Sequence, residues 1–187
     1  MNDNDGTVED ETAMGSEKSS ESVCEIARAI SVVGDRWTLL IMREVGMGMR
    51  KFEEIQAQTG MSSHLLSTRL KRMEEEGLLE LKLYSDKPPR YEYHATQKGK
   101  ELDSVLLALR GWTMRWGAYD PGAGPAFELS DKKTGKKIGP GWAGTGAKRP
   151  FTFADVDASI SDAFVAEREA KRLAFQKAKQ GKKRPGV

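Results

Sequence analysis

The chain has 187 residues, 38% of them hydrophobic, enough for one buried core with a small appendage. A single cysteine excludes an intramolecular disulfide framework and a multi-cysteine metal site, and the two histidines, His64 and His94, leave little for a histidine-based one. No apolar run is long enough to span a bilayer, and the N-terminus is acidic where a signal peptide needs basic and then apolar residues, so the expected compartment is a reducing cytoplasm with no membrane partner.

The formal charge of +2 conceals a gradient along the chain. Residues 1–23 carry seven acidic and one basic side chain, residues 24–120 carry 14 acidic and 15 basic, and residues 121–187 carry 7 acidic and 14 basic. Residues 1–22 have almost no apolar side chains with which to offset their ordering entropy, which predicts a mobile acidic tail. Periodicity begins at Val23: Val23, Ile26, Ala27, Ile30 and Val33 fall on one helical face, stopped by Gly34. Asp35 is placed to cap a second helix in which Trp37, Leu40, Ile41, Glu44 and Val45 follow, up to the flexible Gly46-Met47-Gly48-Met49.

Arg50-Lys51 then leads into a two-turn helix anchored by Phe52 and Ile55, followed by the turn Thr59-Gly60-Met61. Ser62 sits at an N-cap position, and the helix after it places Leu66, Leu70 and Met73 on one side and Ser63, His64, Ser67, Thr68 and Lys71 on the other, with Arg69 and Arg72 at the flanks. A short helix, a glycine turn and a longer polar-faced helix form the helix-turn-helix pattern, in which the second helix enters a major groove. An ordinary solvated helical hairpin has the same pattern.

Gly77 ends this helix, and two segments with period two follow, Leu79–Tyr84 and Arg90–Ala95, joined by the turn Ser85–Pro89. A hairpin directly after a recognition helix is a wing, with Lys87 at its tip and Arg90 opening the return strand. Thr96 caps a long helix expected from Gln97 to about Trp116, with Leu102, Val105, Leu106, Leu109, Trp112 and Trp116 along a stripe wider than a small winged domain needs; this suggests a subunit partner. The expected fold class is α+β, mainly α: a winged helix-turn-helix domain with a two-stranded wing and long dimerisation helices.

Cys24, Gly34-Asp35-Arg36-Trp37, Gly48 to Ile55, Leu65-Leu66-Ser67-Thr68-Arg69-Leu70, Gly77-Leu78-Leu79, Pro88-Pro89-Arg90-Tyr91-Glu92-Tyr93 and Thr96-Gln97-Lys98-Gly99 together resemble the HxlR-type family of winged helix-turn-helix regulators, relatives of the MarR type. The resemblance runs from Cys24 to about Trp116. It implies a homodimer that reads double-stranded DNA at a palindromic operator, acting as a transcriptional repressor in the cytoplasm, with release by a redox or electrophile signal or a small-molecule effector. It departs at Glu25, where the family usually has proline, and at Ala95, often leucine.

The candidate DNA-contacting residues are Arg50, Lys51, Ser62, Ser63, His64, Ser67, Thr68, Arg69, Lys71, Arg72, Lys87 and Arg90. The short polar side chains on the helix face suit base edges, Arg50 and Lys51 suit phosphates near a helix N-terminus, and Lys87 and Arg90 suit a narrow minor groove. Arg69 has a second reading as a brace paired with a carboxylate. Cys24 has two readings: a small packed apolar residue, or a redox sensor of the kind some family members carry near the start of the first helix, where the reactive thiolate is favoured. No catalytic constellation, cofactor or metal site is expected, so the chain does not read as an enzyme; the alternative function is a winged-helix protein-interaction module without a specific DNA target.

The domain organisation expected from these readings is an acidic tail over 1–22, a winged helix-turn-helix and dimerisation domain over 23–119, a linker with a small hairpin over 120–150, and a C-terminal helix with a basic tail over 151–187. In the linker, Phe127-Glu128-Leu129 and Lys136-Lys137-Ile138 flank a turn with Gly135 in the left-handed position. Gly139 to Pro150 is glycine-rich and irregular. A helix is expected from Thr152 to about Gln180, with Val156, Ile160, Ala163 and Phe164 as its apolar stripe. Lys177 to Arg184 is either a nonspecific DNA anchor or a solvated tail.

Overall fold

The computed structural model describes residues 22–117, 124–140 and 151–182. Residues 1–21 of the acidic tail, 118–119 at the end of the expected winged domain, 120–123 and 141–150 of the linker, and 183–187 at the basic end lie outside the described residues. The chain divides into two compact units, residues 1–39 and 40–187.

In the first unit, α1 (Glu25–Val33) buries none of its residues. Its apolar stripe lies open: Val23, Ile26 and Ile30 are all exposed. Asp35 caps the next helix, its Oδ1 accepting hydrogen bonds from the Trp37 and Thr38 amides at 2.8 and 3.1 Å. That helix, α2 (Thr38–Gly46), carries Ile41, Met42 and Val45 into the core of the second unit.

Four elements then build the winged domain: α3 (Phe52–Thr59), α4 (Ser63–Glu75), β1 (Leu79–Asp86) and β2 (Pro89–Ala95). Ile55 of α3, Met61 of the turn and Leu66, Leu70 and Met73 of α4 close over Leu78 and Leu79 at the start of the wing, all nearly inaccessible to solvent. β1 and β2 pair antiparallel from Leu79↔Ala95 to Asp86↔Pro89, with an irregularity between Leu83 and Ser85. The hairpin matches the expectation, with its strands extending one or two residues nearer the tip.

The long helix expected over Gln97–Trp116 is broken into a single turn, α5 (Gln97–Lys100), and α6 (Asp103–Trp116). Gly99 of α5 lies directly against the chain leaving α4: a Cβ there would fall 2.2 Å from the Leu78 carbonyl oxygen. Thr96 joins the same junction, its hydroxyl donating to the Gly77 carbonyl at 2.6 Å and accepting from the Gly99 amide at 3.1 Å. The expected apolar stripe of α6 splits into two faces. Leu107 and Gly111 face inward, whereas Val105, Leu109, Trp112 and Trp116 are exposed, Trp116 to 74%.

The C-terminal region departs most from expectation. β3 (Phe127–Asp131) pairs antiparallel with β4 (Val156–Ile160), in register from Phe127↔Ile160 to Asp131↔Val156. The helix expected from Thr152 therefore begins only at Asp162, as α7 (Asp162–Lys182), and Val156 and Ile160 belong to a strand. The small hairpin is present as a bridge between Ser130 and Lys137, with Gly135 at φ 65°. Leu129, Ile138 and Val156 form a second core with Leu107 of α6, flanked by Phe127, Phe151 and Phe153. β3 and Ile138 are thus packed structure within the stretch read as a linker. No helix among the described residues is long and apolar enough to cross a membrane.

Candidate nucleic-acid interface

The turn between α3 and α4 sets the site. Gly60 closes α3 at φ 72°, a left-handed conformation that a β-carbon disfavours, and its amide donates to the Gln56 carbonyl. Gln56 then fastens the next helix, its Nε2 donating to the Met61 carbonyl at 3.1 Å and to the Ser63 hydroxyl at 2.9 Å. Ser62 caps α4, accepting from the Leu65 amide at 3.2 Å. Sequence reading identified Gly60 and Ser62 but missed Gln56, because a glutamine on a short helix carries no positional signature until its partner across the turn is known.

Leu66, Leu70 and Met73 anchor α4 in the core, which leaves Ser63, His64, Ser67, Thr68 and Lys71 exposed on its outer face. The hydroxyls of Ser62 and Thr68 are engaged, the former accepting from the Leu65 amide and the latter donating to the His64 carbonyl at 3.1 Å. His64, Ser67 and Lys71 have the freest polar ends, Lys71 standing 3.7 Å from Glu75. Arg69 and Arg72 are half-buried and make contacts within the protein, consistent with bracing in the case of Arg69. The acidic run Glu74 to Glu76 sits at the C-terminal end of α4, so the positive end of the helix dipole and the cations Arg69, Lys71 and Arg72 all precede it.

Arg50 and Lys51 flank the start of α3. Glu54 turns back to accept from both of their amides, at 3.0 and 3.1 Å. The Arg50 guanidinium points to the wing and meets His94 Nδ1 at 2.7 Å, while the Arg50 carbonyl accepts from the Tyr93 amide at 2.8 Å. Arg50 therefore ties the helix-turn-helix to the base of the wing. Lys51 is exposed, its ammonium 5.0 Å from the centre of the Tyr84 ring. At the far end of the hairpin Lys87 and Arg90 both face solvent. Cys24 is an exposed free thiol at the N-cap of α1, so nothing within the single chain packs over it.

A feature absent from the sequence reading lies behind the interface. Helix α7 packs against α3 and is tied to α2 by a charged cluster centred on Glu44 of α2, whose side chain is completely buried. Glu44 Oε1 accepts from Arg43 Nε and Nη2 at 2.8 and 2.5 Å, and its Oε2 lies 2.7 Å from Arg168 Nη2. Gln58 of α3 donates through Nε2 to the Arg168 carbonyl at 3.0 Å, and Lys179 pairs with Glu53 at the other end of α3. Arg168 sits in a charge-rich helix that reads as a solvated face, and only the tertiary packing singles it out. Among the described residues no group of three or more side chains is arranged to hold a metal ion.

A family model described as HxlR-like helix-turn-helix matches residues 32–120. The uncharacterized HTH-type transcriptional regulator Rv3095 of Mycobacterium tuberculosis strain H37Rv is 37% identical over 117 residues, which cover 62% of this chain and 72% of that protein. The uncharacterized HTH-type transcriptional regulator YvaP of Bacillus subtilis is 34% identical over 98 residues, covering 52% of this chain and 91% of its own. The crystal structure of PA1607, a proposed transcription factor, is similar with a TM-score of 0.59 at 26% identity, across 76% of this chain and 98% of that one.

Proposed function

Since the chain belongs to the HxlR-like helix-turn-helix family of DNA-binding transcriptional regulators, we propose that it acts as a homodimeric repressor that reads a palindromic operator. The observation that carries this reading is the outer face of α4. Five short or flexible polar side chains, Ser63, His64, Ser67, Thr68 and Lys71, project from a helix held by a tight glycine turn and followed by a wing with two basic residues. His64, Ser67 and Lys71 are the assigned base readers, and Thr68 offers a methyl to thymine. Lys51 and Lys87 hold phosphates, with Arg90 at the minor groove; Arg50 positions the wing.

Dimerisation is supported by apolar surface that a solitary chain leaves in water. Val23 just before α1, Ile26 and Ile30 on it, and Leu109, Trp112 and Trp116 on α6 are all at least 46% exposed. Each large side chain buried in an interface contributes on the order of 1.5–3 kcal/mol, so six such residues on each copy suffice for a stable association. Two recognition helices about one helical turn of DNA apart then match a two-fold symmetric site. A repressor role follows if that site overlaps a promoter, since a dimer seated in two successive major grooves excludes polymerase.

The test is binding to DNA from upstream of the protein's own gene, measured at two ionic strengths against scrambled competitor. A regulator shows sequence preference and a salt slope set by its phosphate contacts. Equal affinity for both DNAs overturns the proposal. Diamide treatment of the same complex, with Cys24→Ser alongside, tests redox release: equal responses of the two proteins eliminate Cys24 as a sensor.

A further inference from the structure

The C-terminal strands, α2 and α6 line an open cavity of about 310 Å³ that includes no residue of α4 or the wing. Its walls are apolar: Met47, Leu106, Phe127, Phe153, Ala158 and Ile160. Two guanidiniums, Arg43 and Arg110, reach it, and no acidic side chain lines it. β3 and β4, which supply much of the lining, lie beyond the residues 32–120 matched by the family model.

We propose that this cavity binds a small apolar monocarboxylate, one ring or a short chain in size, and that its occupancy is passed to the helix-turn-helix. The volume lies at the small end of ligand cavities, about 300–1,000 Å³, and the mostly apolar lining with few convergent polar groups is their usual chemistry. Arg43 selects the head group. It meets Glu44 through Nε and Nη2, and Nη1 has no hydrogen bond among the described residues, so one edge of the guanidinium remains for a second carboxylate. The surroundings favour an anion: Arg43, Arg110, Arg168 and Lys171 stand against Glu44 and Glu167, an excess of two positive charges.

The same contacts supply the coupling. Glu44 holds Arg43 on one oxygen and Arg168 on the other, and the Arg168 backbone is held by Gln58 of α3. A ligand carboxylate that draws Arg43 toward the cavity leaves Glu44 to Arg168 alone and shifts α7 relative to α3, the helix that positions the recognition helix. This coupling rests on the DNA-binding reading given above; the ligand site does not. Linkage of this kind changes affinity at the second site by about 5- to 150-fold.

The experiment titrates the full chain with benzoate, phenylacetate and hexanoate, and with benzyl alcohol as the uncharged control, following the amide resonances of Ala158 and Ile160 by NMR. At least one acid is expected to give saturable shifts at both amides and to bind about tenfold more tightly than the alcohol, as a charge-assisted hydrogen bond implies. Arg43→Gln should abolish that preference, and Ala158→Phe, which fills the cavity from an exposed strand position, should abolish binding with the thermal transition retained. Absence of saturable shifts with all three acids, equal binding of acid and alcohol, or undiminished binding to Ala158→Phe overturns the site. Promoter DNA added to the same samples separates the two claims. Weaker DNA binding with acid present, lost in Ala158→Phe, supports the coupling, and unchanged DNA binding overturns it. If no promoter fragment binds while the acid still shifts both amides, the ligand site stands and the regulator reading fails.

Discussion

Removing Arg168 gives the most direct test of how α7 is held to the winged domain. Glu44 is fully buried, so its carboxylate depends on Arg43 and Arg168 for nearly all of its stabilisation. Arg168 is itself 14% exposed, whereas Arg43 is 31% exposed and already bound through two nitrogens to the other oxygen. Arg168→Ala therefore leaves half of a buried charge without its partner, a perturbation that costs about 3–5 kcal/mol. For a chain of this size each kcal/mol lowers the melting temperature by about 2–4 °C, so the lower figure corresponds to about 6–12 °C. Charge and packing are separated by the double variant Glu44→Leu/Arg168→Met, which substitutes apolar groups for both partners and should come within about 1 kcal/mol of the wild type or exceed it. Urea unfolding followed by tryptophan fluorescence measures all of these proteins. The reasoning is refuted if Arg168→Ala costs less than about 1 kcal/mol, or if the double variant is no more stable than the single one.

Other residues give sharp outcomes by different means. Asp103, buried at the first position of α6, accepts from the Phe153 amide at 2.8 Å; burial raises its carboxyl above the ordinary 3.8, with Phe153 and Lys100 opposing. A carboxyl with a raised folded-state pKa binds its proton more tightly folded than unfolded, so its contribution is lost as pH rises from the ordinary value through the raised one. Asp103→Asn, which keeps an acceptor, should thus gain on the wild type over that window in pH-dependent thermal melts, while Asp103→Ala should lose about 1–3 kcal/mol by stranding the Phe153 amide. Lys87→Ala should weaken binding to all DNA sequences alike and reduce the salt slope by about 1 per wing, read by fluorescence anisotropy at several salt concentrations. Gly99→Ala forces a β-carbon into the Leu78 carbonyl and should cost about 1–3 kcal/mol in chemical denaturation. Trp112→Glu, on the exposed face of α6, should turn a dimer into a monomer in sedimentation equilibrium without lowering the monomer's own helix content.

The winged domain was readable from residue order because its determinants are local. Gly60 and Ser62 set the turn and the cap, Leu66, Leu70 and Met73 repeat at helical spacing, and the period-two hairpin follows within a few residues of Gly77. Each of these signals depends on neighbours no more than about four positions away, so the chain carries them before it folds. The same holds for Asp35, whose cap joins residues two and three positions apart.

Where two local readings were equally good, the tertiary structure chose between them. Val156 and Ile160 are four apart, which suits a helix face, yet with Ala158 they also alternate with a period of two; the residues across the sheet, Asp131 to Phe127, made them a strand. On α6 every large apolar residue fitted one wide stripe, and only the packing of the second core on Leu107 showed which were covered and which left in water. Glu44 and Arg168 were ordinary charged residues 124 positions apart until α7 folded back on α3 and buried one against the other. By itself, the amino-acid sequence determined the polar-faced helix α4, its turn and its wing, whose defining signals are local. Which residues stand behind them, and the cavity those residues line, was decided by tertiary structure alone, because buried charge pairs and long-range strand pairing leave no periodic trace in the order of residues.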